Sequence, residues 1–212
     1  MHTSSEALAP LSMAERKRRL VRDQLGEVAL HLVARQGYEE TTVDQIVAAA
    51  GVSRRTFFRY FKSKEDIVVE SVSDLGAAIR AELAARPTGE GPEAAVRAAF
   101  AVAAEQLTLE PEKALPLTRL MFDTPALHRR FLEHQSVLQE ELAAELARRE
   151  GLDVDEDLGP ALVAGVALTA FQVAVEAWTR HNGDGDLNLL IDEAFSRTNP
   201  GAAARRRATE PG

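Results

Sequence analysis

The chain has 212 residues, 25 Lys and Arg against 33 Asp and Glu for a formal net charge of −8, and no cysteine. That length is ample for a buried core, and the missing thiols exclude disulfide frameworks, thiolate nucleophiles and cysteine-ligated zinc or iron-sulfur centres, which points to a reducing cytoplasm. The charge is uneven: residues 12–64 carry 11 basic and 6 acidic side chains and residues 65–212 carry 14 and 26, so a basic segment suited to a polyanionic partner adjoins an acidic one.

Residues 1–11 show neither a basic n-region nor an apolar h-region and read as a disordered leader rather than a secretory signal. Apolar residues then recur every three and four positions without alternating β-branched runs, so the fold class is all-α. A first helix opens at Ser12, whose spacing to Glu15 makes a capping box, and stops at Gly37. Val21, Leu25, Val28, Leu32 and Val33 stripe its core face. Thr42 with Gln45 opens a short second helix that turns Val43, Ile46, Val47 and Ala50 inward and ends at Gly51. Ser53 caps a third helix, with Phe57 and Phe61 one turn apart on its inner side. Ser63 with Asp66 opens a fourth, expected to run to about Arg86.

After a Pro- and Gly-rich loop from Pro87, a helix is expected from about Pro92 to Leu109. Pro111, Pro116 and Pro125 should break the next region into short pieces. Thr124 and Pro125 supply the N-cap and first residue of a long helix that Gly151 stops. Two more helices fit Asp157 to His181 and Asp186 to Arg197. The tail over 198–212, with Arg205, Arg206 and Arg207, reads as disordered. The longest apolar stretch, Ala161 to Val175, is shorter than the roughly 20 residues that cross a bilayer and is interrupted by Thr169 and Gln172, so no membrane partner is expected.

Two short helices joined through Ala49, Ala50, Gly51, Val52 and Ser53 have the layout of a helix-turn-helix, whose second helix enters the DNA major groove. With Phe57 and Phe61 inward, Arg54, Arg55, Thr56, Phe58, Arg59 and Tyr60 project elsewhere, a surface suited to base edges, thymine methyls and phosphates. Lys64, beside the first amides of the fourth helix, is placed to hold a phosphate, as is Thr42 at the start of the second. The run Arg16 to Arg19 is either a solvated helix start or a further contact to DNA.

The segments Gly-Tyr-Glu-Glu-Thr-Thr-Val-Asp-Gln-Ile from Gly37 and Ala-Gly-Val-Ser-Arg-Arg-Thr-Phe-Phe-Arg-Tyr-Phe-Lys-Ser-Lys-Glu-Asp from Ala50 resemble the DNA-binding domain of the TetR family of repressors, over roughly residues 14–70. The resemblance implies a homodimer that binds a double-stranded DNA operator and releases it on binding a small-molecule effector. It divides the chain into a DNA-binding domain over 12–62 and a helical ligand-binding and dimerisation domain over 63–197. Carried over by position, Arg54, Arg55, Thr56, Phe58 and Arg59 face bases, while Thr42, Tyr60 and Lys64 hold phosphate; Ser53, the cap of the recognition helix, joins this set. Phe58 stands where the family often has tyrosine, and Arg55 where many members have glycine.

The resemblance also assigns the last two helices to the dimer interface, through Val175, Trp178, Leu187, Leu190, Ile191, Ala194 and Phe195. The proline-broken segment, the start at Asp123 and the alanine-rich helix ending near Trp178 are similar to members that sense fatty acyl thioesters. On that basis an apolar or acyl-type effector is expected among Leu117, Leu120, Met121, Phe122, Phe131, Leu138, Val166 and Phe171, with Gln135, Gln172, Arg119 and His134 as polar contacts.

No cofactor, metal or catalytic residue is expected. The aspartates at 153, 155 and 157 and the Asp184, Asp186, Asn188 run have Leu158 and Leu189 where a calcium loop needs glycine, and read as helix caps. The five histidines include no i, i+4 pair, and there is no phosphate-cradling glycine loop or nucleophile elbow. A second reading, a helical scaffold or enzyme whose first domain contacts protein, differs in its response to salt, because phosphate binding falls steeply as salt rises.

Overall fold

Capping chemistry set the expected helix boundaries, and the computed structural model, which describes residues 12–198 apart from 71 and 72, follows most of them. Among the described residues the chain is all-α, with α1 (Met13–Gln36), α2 (Val43–Ala50), α3 (Arg54–Tyr60), α4 (Lys64–Glu70), α5 (Ser73–Ala85), α6 (Pro92–Leu109), α7 (Pro111–Asp123), α8 (Pro125–Glu150), α9 (Leu158–Arg180) and α10 (Leu187–Thr198). The leader, the tail with its three arginines, and the side chain of Glu15, hence the first capping box, lie outside the described residues.

The chain divides into two compact units, Met1–Ser71 and Val72–Gly212. The division therefore falls after α4 rather than at residue 62. The reason is packing: Ile67, Val68 and Val69 of α4 are buried with Leu25 and Ala29 of α1 in the first unit's core, and the Arg22 guanidinium pairs with Glu70. The single fourth helix expected from Ser63 to Arg86 is described instead as α4 and α5, with 71 and 72 outside the description.

In the second unit α5, α6, α8 and α9 enclose a core of Leu83, Val96, Phe100, Leu142, Leu146 and Leu168. It is continued by Leu107, Trp178, Leu187 and Ile191 from α6, α9 and α10. Alanines on α6 and α9 let these helices approach closely, and Phe100 fills the space between Phe171 at 4.9 Å and Phe195 at 6.4 Å between ring centres. Helix α5 is fastened to α8 along its length. Gly76 lies where a Cβ would touch Leu138 at 3.4 Å, Arg80 pairs with Glu141, and Arg149 donates to the carbonyls of Leu83 at 3.1 Å, Arg86 at 2.7 Å and Pro87 at 2.8 Å. The Leu83 carbonyl also accepts from the Arg86 amide at 3.3 Å and the Pro87 carbonyl from the Glu90 amide at 3.1 Å. At the end of α5, where carbonyls run short of helical amides, the guanidinium thus adds a second, charge-assisted bond to each of these two.

Three expectations are corrected here. Pro116 does not break its segment: α7 runs through it for 13 residues. The proline removes one backbone bond, to Glu112, and the cost of about 3 kcal/mol that this carries in a helix interior is offset by packing that buries Met121 and half-buries Leu115, Leu117, Leu120 and Phe122. Second, the length argument against a bilayer span is corrected, though not the expectation it supported. Helix α9 at 23 residues is long and apolar enough by length and composition alone, but it packs as a core helix of the second unit, with Ala164, Ala167, Leu168, Ala174 and Trp178 buried.

Third, four of the seven residues expected at the dimer interface lie inside the subunit. Trp178 is 1% exposed, and Val175, Leu187 and Ile191 are also buried inside the subunit, so they cannot face a partner. Leu190, Ala194 and Phe195 are half-buried, with Phe195 against Phe100. At 100° per residue these α9 positions lie opposite Leu158, Leu162, Val166, Thr169 and Val173, all exposed. Leu158 is 77% and Leu162 63% exposed, and Leu189 on α10 is 66% exposed. Val166, expected in the ligand pocket, belongs to this outward stripe.

Candidate nucleic-acid interface

The α2–turn–α3 segment is held by its caps. Thr42 Oγ1 accepts from the Gln45 amide at 3.3 Å while Gln45 Oε1 accepts from the Thr42 amide at 2.8 Å, the reciprocal arrangement expected of the pair. Gly51 ends α2 with φ 67°, a left-handed conformation that a Cβ would strain, and Val47 O accepts from the Val52 amide at 3.0 Å. Ser53 Oγ then accepts from the Thr56 amide at 3.1 Å and lies 2.9 Å from Thr56 Oγ1. Ser53 and Thr42 thus serve first as caps that aim their helices.

With Phe57 buried and Phe61 buried beneath it, α3 presents two outward rows. Arg54 and Phe58 form one and Arg55 and Arg59 the other, each pair one turn apart. Arg55 is exposed and has no hydrogen-bond or ion-pair partner among the described residues. The Arg59 guanidinium lies 4.9 Å from the Tyr60 ring and donates to its hydroxyl at 3.2 Å. Phe58 is 49% exposed, with its ring edge-on to Phe57 at 5.2 Å. Such a surface of cations, a hydroxyl and an aromatic ring has the chemistry of a base-reading helix.

Lys64 sits apart from that surface. Its Nζ donates to the carbonyls of Tyr38 at 3.0 Å and Thr41 at 3.2 Å and lies 4.1 Å from the Tyr38 ring. Two of its three donors are thereby committed to the loop between α1 and α2, leaving one for a phosphate. Beside it the Tyr38 hydroxyl donates to Glu65. Burial, then this bond, push the phenol well above its ordinary range. Burial raises the Glu65 carboxyl too, but the hydrogen bonds from Tyr38 and Ser63 and the Lys64 charge outweigh it and leave the group below the usual carboxylate value. On α1, Arg16, Lys17, Arg18 and Arg19 are all exposed.

One residue of this face went unrecognised in the sequence. Asp44, at the start of α2, accepts from Arg54 Nη1 through both oxygens, at 2.8 and 2.9 Å. Nothing in a ten-residue separation signals that contact; it follows from the turn bringing the two helix starts side by side.

In the second unit Phe122, His128 and Phe131 form an aromatic cluster, with Phe122 5.8 Å from each of the others. Gln135 donates to Gln172 at 3.2 Å, and Gln172 to Glu176 at 2.9 Å, a polar chain from α8 along α9. His128 and Glu176 were not expected there. Leu117, Leu120 and Leu138 are half-buried and Met121 buried, while Phe171 packs in the core on Phe100. Arg119 is turned to Asn182 at 2.7 Å. His134 is half-buried.

Residues 26–70 match the family model described as bacterial regulatory proteins of the tetR family, and residues 90–203 match that of the MftR C-terminal domain. The HTH-type transcriptional regulator TcmR of Streptomyces glaucescens is 35% identical over 184 residues, 84% of this chain and 81% of its own. A putative mycofactocin biosynthesis transcriptional regulator, MftR of Mycobacterium tuberculosis, is 32% identical over 191 residues, 87% of this chain and 90% of its own. Among solved structures the Thermus thermophilus FadR, a TetR-family repressor in complex with lauroyl-CoA, aligns with a TM-score of 0.53 at 25% identity, covering 82% of this chain and 91% of that one.

Proposed function

Because the chain belongs to the TetR family and is a DNA-binding transcriptional regulator rather than an enzyme, we propose that it acts as a cytoplasmic homodimeric repressor, released from a palindromic operator by an apolar or acyl-type effector. The observation that carries this reading is the capped α2–α3 pair, which presents Arg54, Arg55, Phe58 and Arg59 outward on a short helix fixed from below by Phe57 and Phe61. In the dimer two such helices enter successive major grooves about 34–36 Å apart. Thr56 joins them at the bases, and Ser53, Tyr60, Thr42 and the remaining donor of Lys64 flank them as contacts to the backbone.

The partner subunit is met through the outward stripe of α9 and Leu189 of α10. A row of exposed leucines and valines along one helix face is what an isologous interface covers. The effector is held in the second unit by α7, α8 and α9, with Phe122, Phe131, Leu117 and Leu120 as apolar walls and the Gln135–Gln172–Glu176 chain as its polar end. The acyl thioester carried by the Thermus thermophilus relative supports that class. The effector releases DNA only to the extent that it binds the released conformation more tightly.

The test is equilibrium binding of a library-selected duplex and of scrambled DNA across a salt series, followed by titration of the complex with lauroyl-CoA and free fatty acids. Steep salt dependence with strong preference for the selected duplex, and release by an acyl ligand, is the expected result. Weak, salt-insensitive binding to both duplexes overturns the DNA reading. Tight binding that no acyl compound relieves overturns the effector class alone.

A further inference from the structure

We propose that Asp44, Arg54 and Phe58 form one preset reader of a guanine next to a thymine in each operator half-site, with Asp44 as the positioning residue. The inference rests on the DNA reading above and names its specificity. Arg54 meets both oxygens of Asp44 through Nη1 alone, at 2.8 and 2.9 Å. Its Nε and Nη2 make no hydrogen bond among the described residues, so the edge that carries two parallel N–H groups is left free. That edge matches the O6 and N7 acceptors of guanine, which only a guanine presents side by side in the major groove.

The acidic partner is informative because of what it costs. A carboxylate on the α2–α3 face, 67% exposed, repels phosphate and cancels the charge that would draw Arg54 to the backbone of any sequence. What survives of the arginine is direction. A guanidinium held by one nitrogen also has fewer rotamers to lose on binding, so the paired donors reach a base with less entropy to forfeit. Arg55 and Arg59, which pair with no acid among the described residues, retain the ordinary attraction to phosphate.

Phe58 completes the unit. Its ring stands 5.9 Å from the Arg54 guanidinium and is steadied edge-on by buried Phe57. Half its surface faces water, and it has no polar atom with which to touch phosphate. The apolar group that the major groove offers is the thymine methyl, and the distance to Arg54 places that thymine beside the guanine the arginine reads.

The test uses a duplex enriched by the wild-type protein from a random library, synthesised with single 7-deazaguanine substitutions, which remove N7, and single uracil substitutions, which remove the thymine methyl. Affinities are measured for wild type, Arg54→Ala, Phe58→Ala, Asp44→Ala and Asp44→Asn. One guanine per half-site is expected where 7-deazaguanine weakens wild type by about 5-fold or more and Arg54→Ala not at all. At the neighbouring thymine, uracil weakens wild type by about 3- to 10-fold and Phe58→Ala not at all.

Asp44→Ala tightens binding to scrambled DNA and narrows the preference for the selected duplex by about 10-fold. Asp44→Asn, which keeps one acceptor oxygen, retains most of the preference. A residue that only stabilised α2 would shift both duplexes alike, and that result overturns the proposal, as does a 7-deazaguanine penalty that persists in Arg54→Ala. Failure of the wild type to enrich any duplex removes the DNA reading itself, and this inference with it; a selected duplex indifferent to every 7-deazaguanine removes the inference alone.

Discussion

Replacing Leu162 with glutamate should separate the subunits without unfolding them. Full burial of a leucine side chain is worth about 1.5–3 kcal/mol; Leu162 is 63% exposed in the subunit, so covering the remainder contributes about 1–2 kcal/mol per subunit. In a two-fold interface each residue counts twice, giving about 2–4 kcal/mol for truncation to alanine, or about 30- to 800-fold in the dimer dissociation constant. Glutamate adds the desolvation of two carboxylates facing like charges. Sedimentation equilibrium reads the association, and thermal unfolding at a concentration where both proteins are monomeric reads the fold. A monomer with near-native intrinsic stability is expected. Leu162→Glu that dimerises as tightly as wild type would refute the assignment of the outward α9 stripe, while Trp178→Ala, at a fully buried position, should lower stability by about 3–5 kcal/mol whatever the oligomeric state.

Arg149→Ala removes the donor to three carbonyls at the end of α5 and should destabilise the second unit by about 1–3 kcal/mol in denaturant titration; an unchanged midpoint would show that water replaces the guanidinium without loss. Tyr38→Phe leaves the Glu65 carboxylate without its phenol donor and should cost about 1–2 kcal/mol near neutral pH. Glu65 sits below its ordinary value of 4.5, so its contribution is full above that value and lost as pH falls through the depressed one. The phenol, raised above its ordinary 10.0, contributes below pH 10 and less as pH climbs past it. The difference in melting temperature between wild type and Tyr38→Phe should therefore be widest between these limits and shrink at acid pH. Gly51→Ala meets no neighbouring atom within 4 Å but forces an alanine to φ 67°; about 1–2 kcal/mol should be lost in thermal melts, with DNA affinity falling as α3 loosens.

The first unit was legible because local chemistry decides it. Thr42 with Gln45, Gly51, and Ser53 act within three or four residues, and each cap forms as its spacing requires. The second unit is decided by which face of a helix meets which neighbour, and a periodic stripe on one helix does not say that. Phe171, Val175 and Trp178 share a face of α9, as the period requires, yet that face is filled by Phe100, Leu107 and Ile191 of the same chain. The alanine-rich inner side and the leucine- and valine-rich outer side of α9 both read as apolar, and the residues assigned to the partner from sequence, Val175 and Trp178, lie on the inner one. Likewise Pro116 carries a strong local signal against helix that packing on α8 overrides, and the Asp44–Arg54 contact arises only once α2 and α3 are set side by side.

The central claim is that two copies of α3 read an inverted repeat, and selection of binding sites by the wild-type protein from a random duplex library tests it most directly. Selection should enrich an inverted repeat whose half-sites lie about one helical turn apart, bound far more tightly than its scramble. Enrichment of no sequence, or of a single unrepeated half-site bound by a monomer, would contradict it.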